Sequence, residues 1–120
     1  MTPSQIIAAD AKHRGLDPAK ILSAIAQMVG KKVGTLMQEG DTVLLLQFIS
    51  QDAAEVHLFT ADKPLALAKA LVKIIKAIRQ TNLDVVYGKA DSPEILQLLR
   101  QVGVDVQESD RPEFNWMTQV

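Results

Sequence analysis

Two stretches of this 120-residue chain carry side chains whose types and spacing could do chemistry. The first is Glu55-Val56-His57-Leu58-Phe59-Thr60, a strand-like run in which a carboxylate and an imidazole stand two residues apart. In an extended strand successive side chains face opposite ways, which sets Glu55, His57 and Phe59 against Val56, Leu58 and Thr60. A histidine titrates near neutrality, so His57 is a conceivable general base; among apolar neighbours it reads first as a hydrogen-bonded, half-buried sheet histidine. The second stretch, Asp62-Lys63-Pro64-Leu65-Ala66-Leu67-Ala68, opens the longest helical pattern of the chain. The first N–H groups of a helix have no internal partner, and with the helix dipole they attract anions. Pro64 brings no N–H to that terminus. Asp62 places a carboxylate within a turn of it, where it would repel an anion and could itself take up the amides.

The other candidates lack company. His13 beside Arg14 reads as surface, and neither histidine has a second ligand at helical spacing, so no metal site is expected. With no cysteine there are no disulfides and no thiolate ligands. Ser4, Ser23, Ser50, Ser92 and Ser109 have no Gly-x-Ser-x-Gly setting, and no glycine-rich phosphate loop of the Walker type is present. The composition, 48% hydrophobic and 22% charged, is that of an ordinary globular domain, and a net charge of −1 offers nothing to a nucleic-acid backbone. No apolar run approaches the ~20 residues of a membrane span. Asp10, Lys12, His13 and Arg14 break the apolar character a signal peptide needs. Neither nucleic acid nor membrane is expected as a partner.

The elements that must position these residues read in order. Residues 4–14 form a helix ending at Gly15, and Asp17-Pro18 opens a second that runs to Gly30, with an acid at the N-cap and Pro in the first turn. A hairpin follows, with strands 32–38 and 42–50 around Glu39-Gly40-Asp41, and then a third strand at 55–60. The helix from Pro64 to Arg79 buries Leu67, Leu71, Ile74, Ile75 and Ile78 and turns Lys69, Lys73, Lys76 and Arg79 to water. A strand at 83–87 precedes a helix whose start, Asp91-Ser92-Pro93-Glu94, has capping-box spacing. That helix ends at Gly103, and strands at 104–106 and 114–117 finish the chain. The order is ααβββαβαββ. It predicts one domain, residues 1–120, of α+β three-layer class: a mixed central sheet with an antiparallel meander, a parallel βα pair and helices on both faces. The first helix, within residues 1–16, packs either on its own domain or on another chain. Phe114 and Trp116 are expected on one face of the last strand with Met117 on the other, as core or as interface anchors.

This order resembles the GNAT (Gcn5-related N-acetyltransferase) fold over roughly residues 17–120, without the family's first strand. In that family a Gln/Arg-x-x-Gly-x-Gly/Ala loop after a strand cradles the pyrophosphate of CoA on backbone amides. Lys63 matches the first position, Ala66 the first glycine and Ala68 the last. The family's Asn-x-x-Ala-x-x-x-Tyr-x-Lys-x-Gly-Phe helix is met here by Ser92, Ile95, Leu99, Gln101, Gly103 and Val104. The departures imply a silent site: Ala66 replaces a glycine, and Leu99 stands where a tyrosine protonates the leaving thiolate. On that basis no catalytic residue and no cofactor are expected. If acetyl-CoA binding is retained, the resemblance assigns it to Lys63, Leu65, Ala66 and Ala68. Acetyl transfer would then use Glu55 as base, unless it is only an exposed strand-end acid, and Tyr87 as acid, unless its phenol packs in the sheet.

Val56-His57-Leu58-Phe59-Thr60-Ala61-Asp62, Val86-Tyr87-Gly88-Lys89 and Glu113-Phe114-Asn115-Trp116-Met117 are similar to small GNAT-like proteins of tailed bacteriophages. That resemblance implies a catalytically silent structural or assembly protein in the virion or host cytoplasm. It would act through contacts with other particle proteins or with its own copies, with Phe114, Trp116 and Met117 as the candidate interface.

Overall fold

A computed structural model describes residues 1–90 and 92–120. The elements in chain order are α1 (Pro3–His13), α2 (Pro18–Gly30), β1 (Gly34–Glu39), β2 (Thr42–Phe48), β3 (Ala53–Thr60), α3 (Pro64–Arg79), β4 (Val85–Gly88), α4 (Pro93–Gln101) and β5 (Trp116–Gln119). The five strands lie in the spatial order β1-β2-β3-β4-β5, and only the β3–β4 pair is parallel. This is the mixed α+β sheet that the element order predicts. The expected capping residue Asp91 lies outside the described residues.

Residues 42–46 are buried without a break because both faces of β2 are covered. On one face Val43, Leu45 and Phe59 meet Ile6 and Ile7 of α1 and Ile25 of α2. On the other Leu44, Leu46, Ala54 and Val86 meet Leu67, Leu71, Ile74 and Ile78 of α3, with Leu99 and Trp116. α1 starts in a capping box: the Gln5 N–H donates to the Thr2 hydroxyl, and the Thr2 N–H donates back to the Gln5 side chain. Its Ile6, Ile7 and Ala11 are almost wholly buried, so α1 packs on the sheet of its own chain. α2 is capped by Asp17, whose carboxylate accepts from the Ala19 N–H.

The C-terminal segment departs from the expected strands. Residues 104–106 form no full strand; their stretch touches the sheet through a single bridge, Gln107 with Met117. β5 begins at Trp116 rather than at 114, because a Ser109–Arg111 turn precedes it and the Asn115 N–H donates to the Gly88 carbonyl. Phe114 and Trp116 therefore do not share a strand face. Trp116, 7% exposed, enters the core on the α3/α4 side, while Phe114 stacks on Tyr87 on the opposite side with ring centroids 5.2 Å apart. Met117 is half-buried beside Tyr87 in the β4–β5 register.

Gly88 owes its place to this tryptophan. A Cβ there would lie 2.5 Å from Cε2 and Nε1 of Trp116, closer than any methyl can approach a ring. Gly88→Ala is expected to cost about 1–3 kcal/mol of unfolding free energy through overpacking, read from urea denaturation curves. A midpoint unchanged from the parent would show that the Trp116 ring does not lie against the Gly88 backbone.

Candidate functional site

The parallel pairing of β3 with β4 is short: Ala53 faces Val85, Ala54 faces Val86 and Glu55 faces Tyr87. β3 continues to Thr60, while the chain beyond β4 is drawn towards β5. Asn115 does the drawing. Its side-chain carbonyl accepts from the Ala90 N–H at 2.8 Å and its Nδ2 donates to the Ala90 carbonyl at 2.9 Å, imitating a strand partner on the β5 side. The two strands separate past Glu55, and among the described residues β3 from Val56 onward has no strand partner on that edge. Val56 and Leu58 stay only half-buried although they are apolar and central.

A cavity of about 710 Å³ occupies this opening. Val56, Leu58, Ala90, Ile95 and Leu99 line it on the α3/α4 side, and Arg14, Leu16, Ile21, His57 and Phe59 on the α1/α2 side. Its far end is tied by α1: the Thr60 N–H donates to Asp10 Oδ2 at 2.7 Å, and Arg14 Nε pairs with Asp10 Oδ1 at 2.5 Å. The Arg14 guanidinium lies 5.5 Å from the centroid of the Phe59 ring.

His57 stands at the lip of the opening. Its Nε2 lies 3.3 Å from Glu55 Oε1 and 3.3 Å from Gln47 Oε1. An ionised carboxylate only accepts, so Glu55 favours the tautomer with the proton on Nε2 and leaves Nδ1 as an acceptor. Burial holds the His57 pKa below its ordinary value; Glu55 opposes that shift, and the cations Lys89 and Arg14 add to it. These influences together favour the neutral form of the ring. Glu55 is not at a strand end: it sits within β3 with its side chain 18% exposed, in contact with the imidazole.

The other residues singled out in the sequence fall in three places. Lys63 is the N-cap of α3 and is exposed, as are Pro64, Leu65 and Ala66, and the Lys63 side chain makes no capping hydrogen bond. Asp62 does not take up the α3 amides. Its carboxylate accepts from the Asp41 N–H at 3.1 Å and the Thr42 hydroxyl at 2.8 Å, both across the sheet at the β1–β2 turn. The Leu67 N–H donates to the Lys63 carbonyl at 2.9 Å, and Ala68 lies further inside the helical ladder. Leu65 and Ala66 are therefore the first-turn donors, and both residues are exposed. Leu99 is buried in the core and lines the cavity as an aliphatic wall. Tyr87 lies outside the cavity lining: its hydroxyl donates to Asp110 at 2.8 Å, and Arg111 lies 5.1 Å from its ring centroid. It is not placed as an acid for chemistry at His57. Sequence reasoning missed Gln47, Arg14 and Lys89, which reach the site from β2, α1 and the end of β4. Only the β2–β3 register, pairing Gln47 with Glu55, could have pointed to the first. Among the described residues no group of three His, Cys, Asp or Glu could hold a metal ion.

No protein-family model matches the sequence, and no curated protein matches it. Among solved structures, the Campylobacter jejuni N-acetyltransferase PseH, in complex with acetyl coenzyme A, is similar to this chain with a TM-score of 0.60. The match has 15% sequence identity and covers 99% of this chain and 92% of that one. The chain thus has the GNAT fold. This finding corrects the reading as a catalytically silent phage particle protein and leaves the expectation of no cofactor without support: the similar structure is a transferase holding acetyl coenzyme A, and nothing in the comparisons points to a virion component.

The lowered pKa of His57 has a consequence for stability. The unfolded chain binds a proton at higher pH than the native ring does, so the contribution of the neutral imidazole is complete above about pH 6.5. It is lost as pH falls through the native value. Unfolding free energies of the parent chain should therefore drop between neutral pH and that lower value more steeply than those of His57→Gln. Parallel curves for the two proteins would contradict a half-buried neutral ring.

Proposed function

We propose that this chain is an acetyl-CoA-dependent N-acetyltransferase. The observation that carries the reading is the open separation of β3 and β4, with a neutral histidine held by a carboxylate at its lip. The residues present suit the cofactor. Lys63 and the Leu65 and Ala66 N–H groups offer an exposed, uncapped helix N-terminus for pyrophosphate. The unpaired edge of β3 offers backbone groups for an amide-bearing arm, and the cavity beside it is walled by aliphatic side chains. When bound, acetyl-CoA supplies an acetyl group activated as a thioester.

The chain's own residues then have separable tasks. His57 Nδ1 takes a proton from the amine of the acceptor. Glu55, on Nε2, fixes the tautomer and stabilises the imidazolium that forms. Val56, Leu58 and Leu99 keep water from the reacting centre. Leu99 has no proton to give, so the proton chemistry of this reading rests on His57 and Glu55.

Titration calorimetry of the purified chain with acetyl-CoA tests the first half of the reading, and amine-dependent release of the CoA thiol tests the second. Binding is expected, and Lys63→Glu should weaken it by roughly tenfold, the scale of one charge-assisted phosphate contact. His57→Gln should lower kcat/KM by roughly 10²- to 10⁴-fold with acetyl-CoA affinity retained. Absence of binding at millimolar acetyl-CoA, or transfer that proceeds unchanged in His57→Gln, would contradict the proposal.

A further inference from the structure

Two cations converge on the α1/α2 mouth of the opening, on the side away from the Lys63 terminus. Arg14 sits over Phe59, the next residue after His57 on the same strand face, which is about 6.6 Å along β3. Lys89 follows β4 two residues after Tyr87, the partner of Glu55, and lines the same cavity. Both lie close enough to His57 to press its proton off. Asp10 meets Arg14 through Nε alone, which leaves the two terminal nitrogens of the guanidinium as a fork. Such a fork matches the two oxygens of a carboxylate. Around it the mouth is apolar, with Leu16, Ile21, Met28 and Phe59 in the lining.

We infer that the acyl acceptor is a small amino acid with an apolar side chain. Its amine would sit at His57 and Glu55, its carboxylate on the fork of Arg14 with Lys89 beside it, and its side chain against Leu16 and Ile21. The inference rests on the transferase reading above. The spacing suits such a molecule, because a few bonds between amine and carboxylate bridge an imidazole and a guanidinium one strand pair apart. In the transfer the amine nitrogen forms the new bond to the acetyl carbon as the carbon–sulfur bond breaks. The ammonium of the free amino acid gives up two protons: one leaves through His57 to water and one ends on the CoA thiol. An uncharged amine would leave Arg14 without its second partner, and a polyamine would be repelled by both cations.

The test uses the full chain and the product acids, so that it reads recognition apart from turnover. Calorimetry with N-acetyl-leucine should show binding, with N-acetyl-leucinamide binding roughly 10- to 100-fold more weakly, the range of a charge-assisted bidentate contact. Arg14→Gln should abolish the difference between acid and amide, and Arg14→Lys should keep part of it. Acetyl-CoA affinity measured on the same preparations should be equal in all three proteins, which shows that the variants are folded. Leucine should likewise be acetylated with a higher kcat/KM than leucinamide. Equal affinity for acid and amide, binding of neither, a preference that survives Arg14→Gln, or tighter binding of the matching phosphonate would overturn the inference while acetyl-CoA binding still stands. Loss of acetyl-CoA binding by the parent chain would overturn the transferase reading and the inference with it.

Discussion

The short parallel register between β3 and β4 is the constraint on which the rest of this structure depends. Three pairs, from Ala53–Val85 to Glu55–Tyr87, join the meander to the C-terminal strands. Ala53 and Ala54 are nearly wholly buried at this junction. Beyond that point Asn115 binds both backbone groups of Ala90, and Trp116 lies flat on Gly88, so the chain after β4 follows β5. An unpaired strand edge inside a covered sheet would be costly if it were simply buried. Here it borders a cavity, and its last N–H, that of Thr60, is satisfied by Asp10 from α1.

The electrostatics of the site follow from the same geometry. His57 lies where the strands part, so it is buried enough to stay neutral and still borders open space. Glu55 lies one strand pair earlier, where pairing is intact, and is therefore held firmly enough to orient the imidazole. α1 is anchored in the core at Ile6, Ile7 and Ala11, and its Asp10 pairs with Arg14 at its C-cap. A helix fixed so completely by its apolar face delivers its last-turn charges to one place. That is why Asp10 of α1 and Arg14 at its C-cap line the cavity, although the helix precedes the region resembling the family.

Much of the framework was legible in the sequence because its signals are local. Asp17-Pro18 and Lys63-Pro64 mark helix starts, the apolar spacing of Leu67, Leu71, Ile74 and Ile78 marks the buried stripe of α3, and the unbroken run at 43–46 marks a strand covered on both sides. Glu55 and His57 could be placed on one face by alternation alone. Other features were not legible because they depend on distant partners. Asp62 reads as an acid at a helix mouth, yet its carboxylate is held by Asp41 and Thr42, some twenty residues upstream. The 104–106 segment has the apolar alternation of a strand, but Gln107 alone forms a bridge to β5. Arg14, Gln47 and Lys89 come from three separate elements, and no motif joins them. The reading as a silent particle protein, which the similar transferase structure overturns, was drawn from the substitutions at Ala66 and Leu99, which were visible, whereas the opening of the sheet was not.

The central claim is that the gap between β3 and β4 is a binding site for the CoA thioester. Backbone amide resonances of the ¹⁵N-labelled chain, followed during titration with acetyl-CoA, test it most directly. The account predicts saturable shifts at Val56 and Leu58 on the open strand edge and at Leu65 and Ala66 at the α3 terminus, with β1 undisturbed. Saturable binding that leaves those four amides unmoved, or no shifts at millimolar ligand, would contradict it.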